Sequence, residues 1–123
     1  MEQHTLMRLS VNELTARSHR IAEHRPWPRA VIGPADWDRA VEQLAGGQWA
    51  LLGLWAEYVA GADTIHMAVQ DEAEHACAVF SLVCPDGRYP SVGRHHAPAI
   101  RLERAARDLF GLEPQGLPDQ RSW

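Results

Sequence analysis

Apolar and polar positions along the chain change period several times, and Gly and Pro mark most of the changes. Val11, Leu14, Ser18, Ile21 and Ala22 recur at helical spacing behind Ser10 and Glu13, the pair of a capping box, with Leu9 and Leu14 placed as a hydrophobic staple. The pattern predicts an N-terminal helix stopped by Pro26 and Pro28, and its narrow stripe predicts peripheral packing. Arg29 to Ile32 reads as a short strand. Gly33-Pro34 opens a second helix, with Asp36 and Asp38 near its positive end and Trp37, Ala40, Val41 and Leu44 as its apolar face, and Gly46-Gly47 closes it. Three strands follow, Gln48 to Tyr58, Thr64 to Gln70 and Glu74 to Cys84, forming a meander. Ala50, Leu52, Leu54 and Ala56 share one predicted face, as do Ile65, Met67 and Val69, and these faces should meet the helices.

Pro85-Asp86-Gly87 is a turn and Tyr89-Pro90-Ser91 is extended. A last helix starts at Pro98, with Ile100, Leu102, Ala105, Ala106 and Leu109 as apolar positions, and Gly111 ends it. From Leu112 the Pro/Gly-rich tail is predicted to be irregular and, without a surface to lie on, unpaired. The fold class is therefore α+β: two layers, a mostly antiparallel sheet around the meander, and two or three helices on one face. The expected organisation is an N-terminal helix in 1–26, an α+β domain in 27–111 and a tail in 112–123.

Composition narrows the function. A chain of 123 residues with 46% hydrophobic side chains can bury a core without a staple, so a small disulfide scaffold is excluded. Cys77 and Cys84 fall on opposite faces of one strand and cannot pair, and two thiols cannot hold a cluster or a structural zinc. The longest apolar run, Trp49 to Ala56, is far too short to span a bilayer, and Met1 to Leu9 lacks a signal-peptide pattern, so a cytoplasmic protein is expected. A net charge of −4 without a lysine-rich stretch argues against nucleic acid as a partner.

The residues themselves offer two kinds of candidate chemistry. Among seven histidines, His66 and His75 could face one another across a hairpin, and His95-His96 lie in a loop; together they form the candidate ligand set of a small metal-dependent enzyme, although the spacing matches no ligand motif. Nucleophile elbows and phosphate-binding glycine loops are absent. The last helix carries a favourable Glu103–Arg107 pair and a reversed Arg104–Asp108 pair, with Asp108 opposed by the helix dipole and Arg104 or Arg121 available to compensate it.

The run E-R-A-A-R-D-L-F-G-L-E-P-Q-G-L-P-D-Q-R, Glu103 to Arg121, resembles the signature of the C-subunit family of NADH dehydrogenase (complex I), E-R-E-x-x-D-[LM]-[FY]-G-[IL]-x-[FP]-x-G-H-P-D-x-R. Glu103, Arg104, Asp108, Phe110, Gly111, Gly116, Pro118, Asp119 and Arg121 match, and Tyr89-Pro90-Ser91-Val92 and Pro98-Ala99 resemble further family elements, so the resemblance covers roughly residues 27 to 123. Ala105 replaces an acidic residue and Leu117 a histidine, which makes the tail more similar to the N-terminal domain, itself like the C-subunit, of complex-I-related [NiFe]-hydrogenase and formate hydrogenlyase large subunits. The chain ends at Trp123, just past the signature, which fits either a free subunit or a domain of a longer chain.

What the resemblance implies is an accessory role. The domain would dock on the large, catalytic-type subunit of an electron-transfer complex, peripheral to the cytoplasmic side of the membrane, with no cofactor of its own. Glu103, Arg104 and Asp108 would hold the start of the tail, and Leu117, Pro118 and Arg121 would contact the partner. A metal enzyme built on His66, His75, His95 and His96 is the alternative, and a self-associating module is a third reading.

Overall fold

The computed structural model describes residues 8–21 and 27–116. The first helix, α1, spans Val11–Arg17 behind the predicted capping box: the Glu13 amide donates to Ser10 Oγ at 2.9 Å and the Ser10 amide donates to Glu13 Oε1 at 3.0 Å. It does not run on towards Ala22. Ser18 is extended, its hydroxyl donates to the Leu14 carbonyl, and His19–Ile21 become strand β1. Ala22 and Pro26 lie outside the described residues.

The expectation of peripheral packing is also corrected, because Leu9, Val11 and Leu14 sit in the core, Leu14 with no exposure at all. The reason is the set of bonds that draws α1 in. Buried Asp71 accepts from the Val11 amide at 3.1 Å and from Arg8 Nη2 at 2.5 Å, supplying a carboxylate to the positive end of the helix. Gln43 Oε1 accepts from the Leu9 amide and Trp49 Nε1 donates to the Leu9 carbonyl. Leu14→Ala is accordingly expected to cost about 2–5 kcal/mol in thermal or urea unfolding, whereas a helix lying on the surface would lose no more than about 0.5 kcal/mol.

Strand β2 (Arg29–Val31) follows, then α2 (Pro34–Ala45), with Gly33 at its N-cap and Gly46 at its end. Trp37, Ala40, Val41 and Leu44 are buried, as the spacing predicts. The meander is β3 (Trp49–Val59), β4 (Ala62–Asp71) and β5 (Ala76–Val83). Ala60 and Gly61, both at positive φ, make the two-residue turn between β3 and β4. The five strands lie in the order β1-β2-β5-β4-β3; every pair is antiparallel except β2 with β5. With three helices, this is an α+β fold.

Leu54 and Ala56 share the core face with Ile65, Met67, Phe80 and Leu82. The earlier half of β3 departs from the predicted face. A bulge between Leu51 and Gly53 shifts the register by one residue, so Trp49 and Leu51 turn inward and Leu52 outward. Trp49 then stacks on Phe80 with ring centroids 5.8 Å apart.

The start of the tail, 112–116, is more ordered than expected. Strand β6 (Arg88–Pro90) pairs in parallel with β7 (Glu113–Gln115), the Glu113 amide donating to Gly87 O and the Ser91 amide to Gln115 O. Leu112 and Pro114 are buried, so apolar burial and ladder bonds hold a segment that composition marks as irregular.

Candidate functional site

The last helix, α3 (Ile100–Phe110), ends where Gly111 takes the left-handed conformation at φ 75° and donates its N–H to Arg107 O. Ala99, Glu103, Ala106 and Phe110 recur along one stripe, and the acidic residue on that stripe is fully buried. Its carboxylate is satisfied. It accepts from the Val92 amide at 2.7 Å, from Ser91 Oγ at 2.8 Å and from the Gly93 amide at 3.0 Å. Burial pushes the Glu103 carboxyl pKa up, and those three donors pull it partly back. Gly93 must stay bare, because a Cβ there would come within 2.7 Å of Ile100 Cγ1 and 2.8 Å of Glu103 Oε1. Ser91 Oγ also accepts from the Arg94 amide, and Trp37 Nε1 donates to the Pro90 carbonyl.

The Tyr89–Val92 stretch and Glu103, separate parts of the sequence signature, thus form one joint. It fastens α3 to the loop after β6, and β6 in turn pairs with β7. Sequence reasoning misses the joint, because helical spacing pairs Glu103 with Arg107. The signal that could have found it is the lone carboxylate on an apolar helical stripe.

The remaining signature residues spread around α3. Asp108 is exposed on the last turn while Glu103 points inward, so the two do not jointly hold the tail; the β6–β7 pair does that instead. Phe110 is partly exposed. Gly116, at φ 93°, lies against Arg94, whose Nη1 is 2.6 Å from where a Cβ would stand. Leu117, Pro118, Asp119 and Arg121 lie outside the described residues. Beside α3, Leu54, Trp55 and Ala56 of β3 form one wall of an open apolar groove, and Leu102, Leu109 and Phe110 line the other.

The four candidate histidines do not come together. His66 is buried on the sheet face opposite the core, where its Nδ1 lies 2.7 Å from Ser81 Oγ and its Nε2 2.9 Å from Glu57 Oε1. His75 sits at φ 51° in the turn after β4, so it does not face His66 across the hairpin. His95 and His96 lie in the loop before α3, with Arg94 Nε donating to His95 Nε2. Among the described residues, no three of His, Cys, Asp or Glu are grouped to hold a metal ion.

The side chains of Glu57, His66, Ser81 and Arg29 instead form a chain across β3, β4, β5 and β2. Arg29 Nε donates to Ser81 Oγ at 2.9 Å, Ser81 Oγ is in turn paired with His66 Nδ1, and because the Glu57 carboxylate can only accept, a ring proton lies on Nε2, facing it. Carboxylate, imidazole and hydroxyl are the parts of a hydrolytic triad, but Ser81 has no exposed surface for a substrate to reach. Trp55 lies over the His66 ring with centroids 5.4 Å apart. The arrangement works as a clamp between strands.

No family model matches the sequence, and no curated protein does. Solved structures do match. A chain described as the trypsin-resistant fragment of Nqo5 superposes with a TM-score of 0.71 over 89% of this chain and 96% of its own length, at 17% identity. The chain carries the Nqo5 fold. A chain of the membrane-bound sulfane sulfur reductase, an archaeal respiratory membrane complex, matches with a TM-score of 0.64 over 86% of this chain and 67% of its own, at 13% identity. At such identities the likeness is one of fold. The Nqo5 fold extends over more of the chain than residues 27–123 could supply, so the shared architecture includes part of the N-terminal segment, in keeping with the buried α1. Among the described residues, no helix is long and apolar enough to cross a membrane.

Proposed function

We propose that the chain is a non-catalytic accessory domain of a complex-I-like or hydrogenase-type electron-transfer complex, packed on the large catalytic-type subunit. The observation that carries this reading is the fold match over nearly the whole of the Nqo5 fragment, Nqo5 being a complex I subunit, joined by the match to a respiratory membrane complex. The signature residues add support. Glu103 serves the interior of the fold, whereas Asp108 is exposed and Phe110 partly exposed near the root of the tail. On this reading the domain holds no cofactor, its chemistry is that of recognition, and it sits at the cytoplasmic periphery of the membrane complex. Leu117, Pro118 and Arg121 reach the large subunit.

Co-purification with the large catalytic-type subunit tests the reading. On this reading a Leu117→Asp, Arg121→Glu variant of the full chain should lose most of the complex yield while its melting temperature stays within a few degrees of wild type, because both side chains serve the partner and not the fold. Unchanged complex yield from that variant, or no complex with the wild-type chain, would overturn the docking role.

A further inference from the structure

We propose that the edge formed by β3 and α3 is a self-association surface whose occupant is the same edge of a second copy of this chain. This goes beyond the docking reading, and its test leaves untouched the tail residues Leu117 and Arg121 that read the docking role. Among the described residues, strand β3 is last in the sheet order and pairs only with β4, so one side of an eleven-residue strand has no ladder partner there. It contains no Pro and no Lys to blunt that edge. Leu54, Trp55 and Ala56 are consecutive, so both faces of the strand and the backbone edge between them border the groove whose other wall is α3.

The exposed apolar surface concentrates there. Leu52, Trp55 and Tyr58 of β3 and Leu102, Leu109 and Phe110 of α3 are all exposed; only Trp27 and Val83 are comparable large apolar side chains elsewhere among the described residues. Leu109, at 76% exposure, is the most exposed of them.

Charge selects a second copy as the occupant. Arg101, Leu102, Ala105, Asp108 and Leu109 lie along the outward side of α3, and the row is symmetric about Ala105. A two-fold axis passing at Ala105 sets α3 antiparallel to its copy. Each Arg101 then meets the other copy's Asp108, each Leu102 meets the other Leu109, and the small Ala105 side chains let the helices approach. The same axis runs the two β3 edges antiparallel, the arrangement in which edge strands complete each other's ladders. A parallel, in-register pairing would set like charges together. Burial of the leucines and Trp55 drives the contact, and the two charge pairs fix its orientation.

Sedimentation velocity of the full chain over a wide concentration range tests this, with circular-dichroism melting as the folding control. Wild type should form a dimer. Arg101→Glu alone and Asp108→Arg alone should each weaken it about tenfold or more, because each places like charges at both ends of the interface. The double variant should recover most of the affinity by restoring both pairs in reverse. Leu109→Asp should abolish the dimer, and at dilutions where wild type is monomeric every variant should melt like it, because the altered side chains are exposed. A monomer at all concentrations overturns the proposal, as does a dimer indifferent to Leu109→Asp and to the charge reversals. A monomer whose β3–α3 edge becomes protected only when the large subunit is added assigns that edge to the large subunit and equally overturns it. The tail variant above reads the docking role separately.

Discussion

Glu103→Ala is expected to destabilise the fold by about 3–5 kcal/mol, a large part of the roughly 5–15 kcal/mol typical of a domain. The substitution strands two backbone amides and a hydroxyl, those of Val92, Gly93 and Ser91, in a site with no access to water. It also leaves a void against Gly93 and Ile100, which the close contacts of Gly93 show to be tightly packed. Glu103→Gln keeps one acceptor oxygen and nearly the same volume, so it should cost less than the alanine variant.

The pH dependence of the glutamine comparison has a definite sign. Burial raises the folded-state pKa of Glu103 above 4.5, so in the window above 4.5 the folded chain holds a proton that the unfolded chain has released. Stability from this group is fully present below the unfolded value and falls as pH rises through the folded one, by at most about 1.4 kcal/mol per pH unit. The stability of wild type minus that of Glu103→Gln should therefore shrink with rising pH in urea unfolding. Glu13, whose pKa is lowered by its capping-box bonds with Ser10, has the opposite sign but cancels because both proteins contain it. A difference that is flat or grows with pH would rule out the buried, raised carboxyl.

Trp37→Ala should be nearly as damaging, at about 3–5 kcal/mol. Trp37 is completely buried, meets Tyr89 edge to face with centroids 6.1 Å apart, and donates its indole N–H to the Pro90 carbonyl at 2.9 Å. It supports the Tyr89–Pro90 segment from the α2 side as Glu103 supports Ser91–Gly93 from the α3 side. Trp37→Phe keeps an aromatic ring but loses the bond to Pro90, and should cost about 2 kcal/mol. Because both residues order the same short segment, the Trp37→Ala, Glu103→Ala double variant should lose less than the sum of the single losses. Strict additivity in urea unfolding would show that the two supports are independent.

Local chemistry made several elements legible from the sequence. The Ser10–Glu13 capping box, Pro34 after Gly33, the apolar period of α2 and the Gly111 stop each act within a few residues, and all appear where the pattern puts them. The alternation in β4 and β5 likewise carries the meander. Tertiary contacts decided the rest. Whether Ser18 continues a helix depends on β2 being at hand to pair with His19–Ile21. The phase of Trp49 and Leu51 depends on the bulge that lets β3 follow β4, which alternation alone cannot place. The β2–β5 and β6–β7 parallel pairs join segments far apart in sequence and leave no local period, so the tail reads as irregular until Arg88–Pro90 lies beside it. Glu103 shows the division most clearly. Helical spacing puts it on the apolar stripe of α3, but only the folded loop brings three hydrogen-bond donors to its carboxylate and turns a buried charge into a joint.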